Sequence, residues 1–291
     1  FDYFRNTTKD QLMTIPLPAS TGSEDIVVNF GENQNVGYDF SVAGQVIRNK
    51  NWAWTSVING SHVKDRIKQI SDKLKNTAYQ LEEDNPLKLR FREGGSQYDI
   101  YAVRSAGIEP ATGQEIFINK NGEYTFKYDA EDEVVVGNTQ PKLQGTWLNT
   151  PRYKGWSLNF VFSYTFGGDT YNKTLWEKVE DIDPRYNVDE RAFTDRWKNP
   201  GDLSRYLAIK ERRSTTPHNS ERFVERLNEL WLSSATLTYE FQPKFLKRLG
   251  FKRLAVGVGV SDIVRFSTVK YERGTSYPSC RTINLTFRPT F

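Results

Sequence analysis

The sequence predicts an all-β protein: an antiparallel sheet of lipid-spanning strands joined by long loops at one end. Three observations carry this. Stretches such as GWSLNFVFSYTFGGD (155–169) alternate large apolar and small polar residues. Period two is the pattern of a strand with two unlike faces. Short and long connections then alternate along the chain, and aromatic residues gather at both ends of the strands.

Taken in order, the first strand falls within 1–8. In GYDFSVAGQV, Tyr38, Phe40, Val42 and Val46 oppose Asp39, Ser41 and Gln45. NWAWTSVING is anchored by Trp52 and Trp54, and a further strand covers 143–149. Trp156, Leu158, Phe160, Phe162, Tyr164 and Phe166 form one face of the next, opposite Ser157, Asn159, Ser163 and Thr165, with Val161 breaking the alternation. WLSSATLTYEF sets Trp231, Ala235, Leu237, Tyr239 and Phe241 against Ser234, Thr236, Thr238 and Glu240. LAVGVGV sets four aliphatic residues against Ala255, Gly257 and Gly259, and the pattern slips at Ser261 and Asp262, where a bulge or strand end is expected. CRTINLTFRPTF closes with Ile283, Leu285, Phe287 and Phe291 on one face.

The connections 48–51, 150–155 and 242–252 are short, whereas 9–35, 63–142, 167–229 and 267–279 are long and polar. A compact soluble domain has mostly short connections. Barrels of outer membranes pair tight inner turns with long outer loops. On that orientation Trp52, Trp54, Trp156, Tyr239 and Phe241 mark the inner rim, and Tyr164, Phe166 and Trp231 the outer one, as interfacial girdles do. Six large groups on one strand represent roughly 10 kcal/mol of burial, and a charge on that face at mid-membrane would cost about 2–4 kcal/mol. A second sheet would bury the same face equally well, so the girdles and the loop asymmetry decide for lipid. One helix is expected: in VKDRIKQISDKLKNTAYQLEED, Val63, Ile67, Ile70, Leu74 and Leu81 recur at helical spacing within an outer loop.

Composition excludes several classes. Hydrophobic residues make up 37% and aromatics 14% of 291 residues, and a barrel's polar lining keeps mean hydropathy low. No apolar run reaches the length of a membrane helix. A net charge of +4, from 40 basic and 36 acidic residues, gives no concentrated stripe for nucleic acid. Cys280 is the only cysteine, so an internal disulfide or cysteine metal cluster is excluded. His62, expected at a strand end, and His218, in a loop, read as solvated polar residues. No catalytic residue, metal site or cofactor is expected, and the protein is not read as an enzyme. The acidic runs 129–133 and 180–184 lack the ligand spacing of a calcium loop. Ligand candidates are Arg185, Tyr186, Arg191, Arg196 and Trp197 in the loop 183–202, and Arg273 in YERGTSYP: residue types that stack on sugars or grip carboxylates. For Trp197 and Phe193 the favoured alternative is packing of the loop over its neighbours.

Several motifs resemble the SusC/RagA family of TonB-linked outer-membrane transporters. They are YFRNTTKDQLMTIPLPASTG followed by NFGENQNVGYDFSV; SAGIEPATGQEIFINKNGEYTF; VVVGNTQPKLQGTW; YKGWSLNFVFSYTFGGDTYNKTL; DRWKNPGD; ERFVERLNELWLSSATLTYEF; SDIVRFSTVKYERGTSYP; and the closing FRPTF. They span the whole chain in the family's order. The resemblance implies that 1–291 is the C-terminal portion of the barrel, about the last eight strands of a 22-stranded, plugged barrel. The plug domain, the segment that contacts the TonB complex and the earlier strands lie outside this sequence. Phe287 and Phe291 resemble the aromatic terminal strand read by the barrel assembly machinery. The implied function is import of oligosaccharides or peptides across the outer membrane of a Gram-negative, Bacteroidetes-like cell, beneath a SusD-like lipoprotein. Because the sequence begins at Phe1 and its one methionine is Met13, it reads as a processed product, an expressed fragment or a piece of something longer. The inward residues are too small to fill an eight-stranded barrel, so the remainder of the barrel is an expected partner. Two other readings stay open: an autonomous small outer-membrane pore, and a soluble all-β glycan-binding module.

Overall fold

The computed structural model describes residues 1–16, 25–70, 92–183, 185, 188–211, 219–242, 250–270 and 281–290. Among the described residues, thirteen strands run in chain order. They are β1 (Asp2–Pro16), β2 (Asp25–Arg48), β3 (Trp52–Ile70), β4 (Asp99–Ala102), β5 (Arg104–Ile108), β6 (Glu115–Ile118), β7 (Tyr124–Thr125), β8 (Val134–Asn138), β9 (Leu143–Tyr153), β10 (Trp156–Tyr171), β11 (Val224–Glu240), β12 (Arg253–Ser267) and β13 (Thr282–Thr290). The long strands form one antiparallel 8-stranded sheet in the order β1-β2-β3-β9-β10-β11-β12-β13. The short ones form two small sheets, β4-β8 and β5-β6-β7, inserted between β3 and β9.

Register aligns the apolar positions into one band. Val42 faces Ile58, Ile58 faces Trp147, and Trp147 faces Phe162. The row continues from Phe162 to Leu232 and Val264. Below it, Leu158, Leu237, Val258 and Leu285 make a second row. Nothing among the described residues covers this face at its far edge: Ile283, Leu285 and Phe287 are 69, 83 and 62% exposed. Two polar residues on the band, Ser56 and Asn149, accept hydrogen bonds from the indoles of Trp147 (2.8 Å) and Trp54 (3.1 Å). The fully buried apolar side chains instead gather at the long-connection end, where Phe30, Ile67, Val103, Phe117, Val179 and Phe223 lie. A soluble sandwich would bury the band and leave the loops thin; here the distribution is the reverse.

The strands outrun the sequence-based boundaries. β1 continues to Pro16 and β2 begins at Asp25, so most of 9–35 is ladder rather than loop. β2 has 24 residues, about twice the 9–11 that cross a bilayer. Its outer half, GENQNV, carries polar residues on both faces, with Asn33 buried and donating to the buried Asp65, which erases the alternation by which a strand is recognised. The inner turn is also tighter than 150–155: β9 runs to Tyr153, and Lys154, at φ 50°, turns the chain with Gly155.

The expected helix is corrected at its start. Val63, Ile67 and Ile70 lie in β3, and Leu74 and Leu81 lie outside the described residues. A spacing of four suits a strand face as well as a helix face. The register then shifts between Ile67 and Gln69, so the extra residue Lys68 puts Ile67 and Ile70 on one side, where both are buried. His62 likewise sits within β3, its Nδ1 2.6 Å from the Lys142 carbonyl oxygen. The bulge expected near Ser261 is present. β12 carries one extra residue between Ser261 and Val264, where Asp262 and Ile263 stand against Ser233, with Asp262 at φ 57°.

Candidate functional site: a polar wall and a braced outer cluster

The face opposite the apolar band is a wall of short polar side chains. Ser41, Asn59 and Thr146 sit side by side across β2, β3 and β9. Ser41 Oγ donates to Asn59 Oδ1 (2.7 Å), and Asn59 Nδ2 to Thr146 Oγ1 (3.3 Å). Thr150 Oγ1 donates to Asn159 Oδ1 at 2.8 Å. Ser41, Asn59 and Thr146, with Asp2, Asp39, Ser61, Gln144, Ser163 and Thr165 and the rings of Phe1, Phe40 and Tyr164, line a concavity of about 570 Å³. Glycines let the sheet close tightly here: a Cβ on Gly145 would meet the Asn59 carbonyl oxygen at 2.0 Å and the Tyr164 ring.

Trp231 belongs to this wall and not to the lipid-facing girdle expected from the sequence. Ser233 is an extra residue in β11 opposite β10, so the face flips: Leu232 pairs with Phe162, while Trp231 pairs with Ser163 and Arg265. The Arg265 guanidinium lies 4.6 Å from the Trp231 ring centroid, and its Nη1 is 3.7 Å from Glu229 Oε1. The other girdle residues fall where strand parity sets them. At the short-turn end Trp52 packs on Tyr153 (4.6 Å), Trp156 on Tyr239 (4.7 Å), and Tyr239 on Phe241 (4.9 Å). At the far end Tyr164 stacks on Phe166 at 5.7 Å. Phe287 points from β13 in an exposed position, and Phe291 lies outside the described residues.

Above the wall, the long connections pack on one another. Leu175, Val179, Ile182, Ala192, Tyr206 and Phe223 form an apolar core joined by Tyr171, Trp176 and Val188. Asn172 starts the helical turn Lys173–Leu175, its Oδ1 accepting from the Leu175 N–H (3.0 Å) while its Nδ2 donates to Glu225 (3.0 Å). Beside the core Arg222 joins two carboxylates from distant segments. It donates to Glu115 through Nε (2.9 Å) and Nη2 (3.0 Å), and to Glu180 through Nη2 (2.8 Å). Ser220 Oγ also donates to Glu115. Burial works against the Arg222 charge, but Glu115 and Glu180 outweigh it and hold its pKa above the ordinary guanidinium value. Sequence reasoning missed this cluster, because Glu180 and Glu115 lie 42 and 107 residues from Arg222 and follow no local pattern.

The loop candidates do not converge. Arg185 is an exposed partner of Asp183 (2.6 Å). Arg191 pairs with Asp189 at 2.7 Å, and that hydrogen bond draws the Asp189 carboxyl down to a pKa of about 2. Arg196 is buried and donates only to backbone carbonyls, those of Ala192, Val179, Glu180 and Leu207, so burial lowers its pKa. Trp197 is a packing residue: it is buried, its Nε1 donates to the Pro110 carbonyl (2.8 Å), and its ring fills the space over Gly113. Phe193 is exposed and packs nothing of the kind. Tyr186, Arg273, His218 and Cys280 lie outside the described residues. The acidic runs are engaged by protein donors: Asp132 accepts from the Lys120 N–H (2.9 Å), and Glu133 from Tyr128 (3.0 Å).

Comparison with known proteins follows the same lines. No family model matches the chain. It is 25% identical to TonB-dependent receptor P39 of Formosa agariphila, the match covering 91% of this chain and 30% of that protein. It is also 25% identical to TonB-dependent receptor P26 of the same organism, over 100% of this chain and 32% of the relative. Among solved structures, the RagAB peptide transporter superposes with a TM-score of 0.74 at 19% identity, covering 92% of this chain and 29% of that one. The RagAB peptide importer in its open-open state gives 0.77 at 19% identity, over 99% and 32%. The chain thus spans about three-tenths of the length of the curated relatives it matches. In sequence it is similar to curated TonB-dependent receptors and in fold to part of the RagAB transporter, and the resemblance to the SusC/RagA family of TonB-linked outer-membrane transporters carried by its motifs stands.

Proposed function

We propose that residues 1–291 form the C-terminal section of the barrel of a SusC-like TonB-dependent transporter in an outer membrane. The carrying observation is the continuous apolar band across the seven strands from β2 to β13 of the 8-stranded sheet, rimmed by aromatics at both ends and backed by a polar wall. In hydrocarbon an open sheet would leave the edges of β1 and β13 unpaired, which lipid does not tolerate. The remaining strands and the plug therefore complete the barrel. The strands here supply wall, and the braced outer loops supply the surface on which a SusD-like lipoprotein docks. The cargo is an oligosaccharide or a peptide, released inward when the TonB complex moves the plug. That RagAB is a peptide transporter supports the peptide arm.

The test is intact mass and peptide mapping of the detergent-extracted native complex, followed by uptake of a labelled peptide pool and a labelled oligosaccharide pool with and without the gene. One longer covalent chain, or a tightly bound second chain carrying plug and early strands, together with loss of one uptake activity, is expected. A lone chain of this size folded in detergent would overturn the reading.

A further inference from the structure

At the short-turn end the polar wall changes character. Arg48 on β2 and Arg152 on β9 stand on either side of Ala53, on the same face of adjoining strands. Neighbouring strands are about 4.8 Å apart, so the two Cα atoms are separated by only about 10 Å. Across the sheet Arg288 on β13 lies opposite Ala255, and Arg253 precedes Ala255 by two residues on the same face. Arg48, Arg152 and Arg288 are exposed, and none has a carboxylate partner among the described residues. Arg253 alone is paired, with Glu240 at 2.7 Å, and Glu240 is the one carboxylate at this end among the described residues. Further up the wall the side chains are uncharged: Ser41, Asn59, Thr146, Asn159, Thr236 and Gly259. Acidic groups appear at the opposite end, with Asp2 and Asp39 adjacent on the concavity and Glu229 beside Arg265.

We propose that this arginine row is an anion-attracting collar at the inner mouth of the lumen, acting on cargo that carries carboxylate or sulfate groups. The inference rests on the barrel reading above, which makes the polar wall the lumen and the short turns its inner end. Guanidinium groups on a low-dielectric wall focus the field into the mouth, and planar donor forks suit carboxylate and sulfate oxygens. Their small neighbours, Ala53, Ser157 and Ala255, leave the forks uncovered.

The test uses the full-length transporter in outer-membrane vesicles, with every native cysteine, Cys280 included, replaced by serine and with Ala53→Cys. The new thiol is modified by two methanethiosulfonates, one bearing a sulfonate and one a trimethylammonium group, and the rates are divided by those for free cysteine. A local preference for the anionic reagent of threefold or more is expected. It should fall at least threefold in Arg48→Gln/Arg152→Gln, return in Arg48→Lys/Arg152→Lys, and shrink in high salt. Tetraglutamate should slow the anionic reagent in the parent and not in the glutamine variant. A ratio that ignores both arginines overturns the collar. Modification by a membrane-dissolved maleimide alone would place this face in lipid and overturn the barrel reading instead. If Ala53→Cys does not assemble, Ser157→Cys, opposite Arg152, gives the same readout.

Discussion

Trp231 and Arg265 face each other across β11 and β12, guanidinium to ring centroid 4.6 Å, on the polar side of the sheet. That pairing separates Trp231 from the tryptophans of the apolar band and makes its environment measurable. In the reconstituted full-length protein, brominated lipid should quench Trp147 and Trp156 and spare Trp231. Trp231→Phe should then leave the lipid-quenched part of the emission unchanged, whereas Trp147→Phe should reduce it. Loss of lipid quenching on removing Trp231 would return it to the girdle.

The Arg222 cluster braces three outer segments from inside, with side-chain exposures of 9% for Arg222, 1% for Glu115 and 4% for Glu180. Removing one member of such a set leaves buried charge uncompensated, at a cost of about 3–5 kcal/mol. Arg222→Met should therefore unravel the outer cluster without unfolding the strands. Limited proteolysis should gain cuts within 173–211 while the barrel keeps its heat-resistant migration. The triple change Arg222→Met, Glu115→Gln, Glu180→Gln should recover much of the loss.

The Asp189 carboxyl, held at about 2 by Arg191, gives a pH dependence with a defined sign. A carboxyl with a depressed folded pKa stabilises above its unfolded value, near 4, and loses that contribution as pH falls toward 2. Hydrogen exchange of 188–195 should accelerate between about pH 4 and pH 2, and Asp189→Asn should abolish that step. An unchanged profile in the variant would detach the effect from this pair.

Close packing within the sheet predicts intolerance at two glycines. A Cβ on Gly60 would enter the Phe40 ring at 2.3 Å, and one on Gly145 would strike the Asn59 carbonyl. Overpacking of this kind costs about 1–3 kcal/mol. Gly145→Ala and Gly60→Val should lower the temperature at which the folded barrel loses its compact migration, while Gly44→Ala, with open space around it, should not.

Much of this was legible in the sequence, and the failures share a cause. Alternation reports a strand only where its two faces meet unlike media. It therefore found β10 and β12 and missed the outer half of β2, where Asn33, Gln34 and Asn35 put polar side chains on both faces and Asn33 donates to the buried Asp65. Bulges also defeat counting. Ser233 moves Trp231 to the wall, and Lys68 brings Ile67 and Ile70 together, so an apparent helical spacing was a strand with an extra residue. The loop arginines were picked by residue type, yet Arg185 and Arg191 are bound to acids two positions away and Arg196 to carbonyls. Partners that decide such roles, as with Glu115 and Arg222, come from distant segments.

The central claim is that one face of the sheet meets lipid and the other a water-filled lumen. Single cysteines placed in turn at residues 157 to 165 of β10, in full-length protein whose native cysteines, Cys280 included, are replaced by serine, test it in native membranes. Cysteines at 158, 160, 162 and 164 should react only with a membrane-dissolved reagent, and those at 157, 159, 163 and 165 with a water-soluble one. Equal reaction of both sets with the water-soluble reagent, or protection of both, would contradict it.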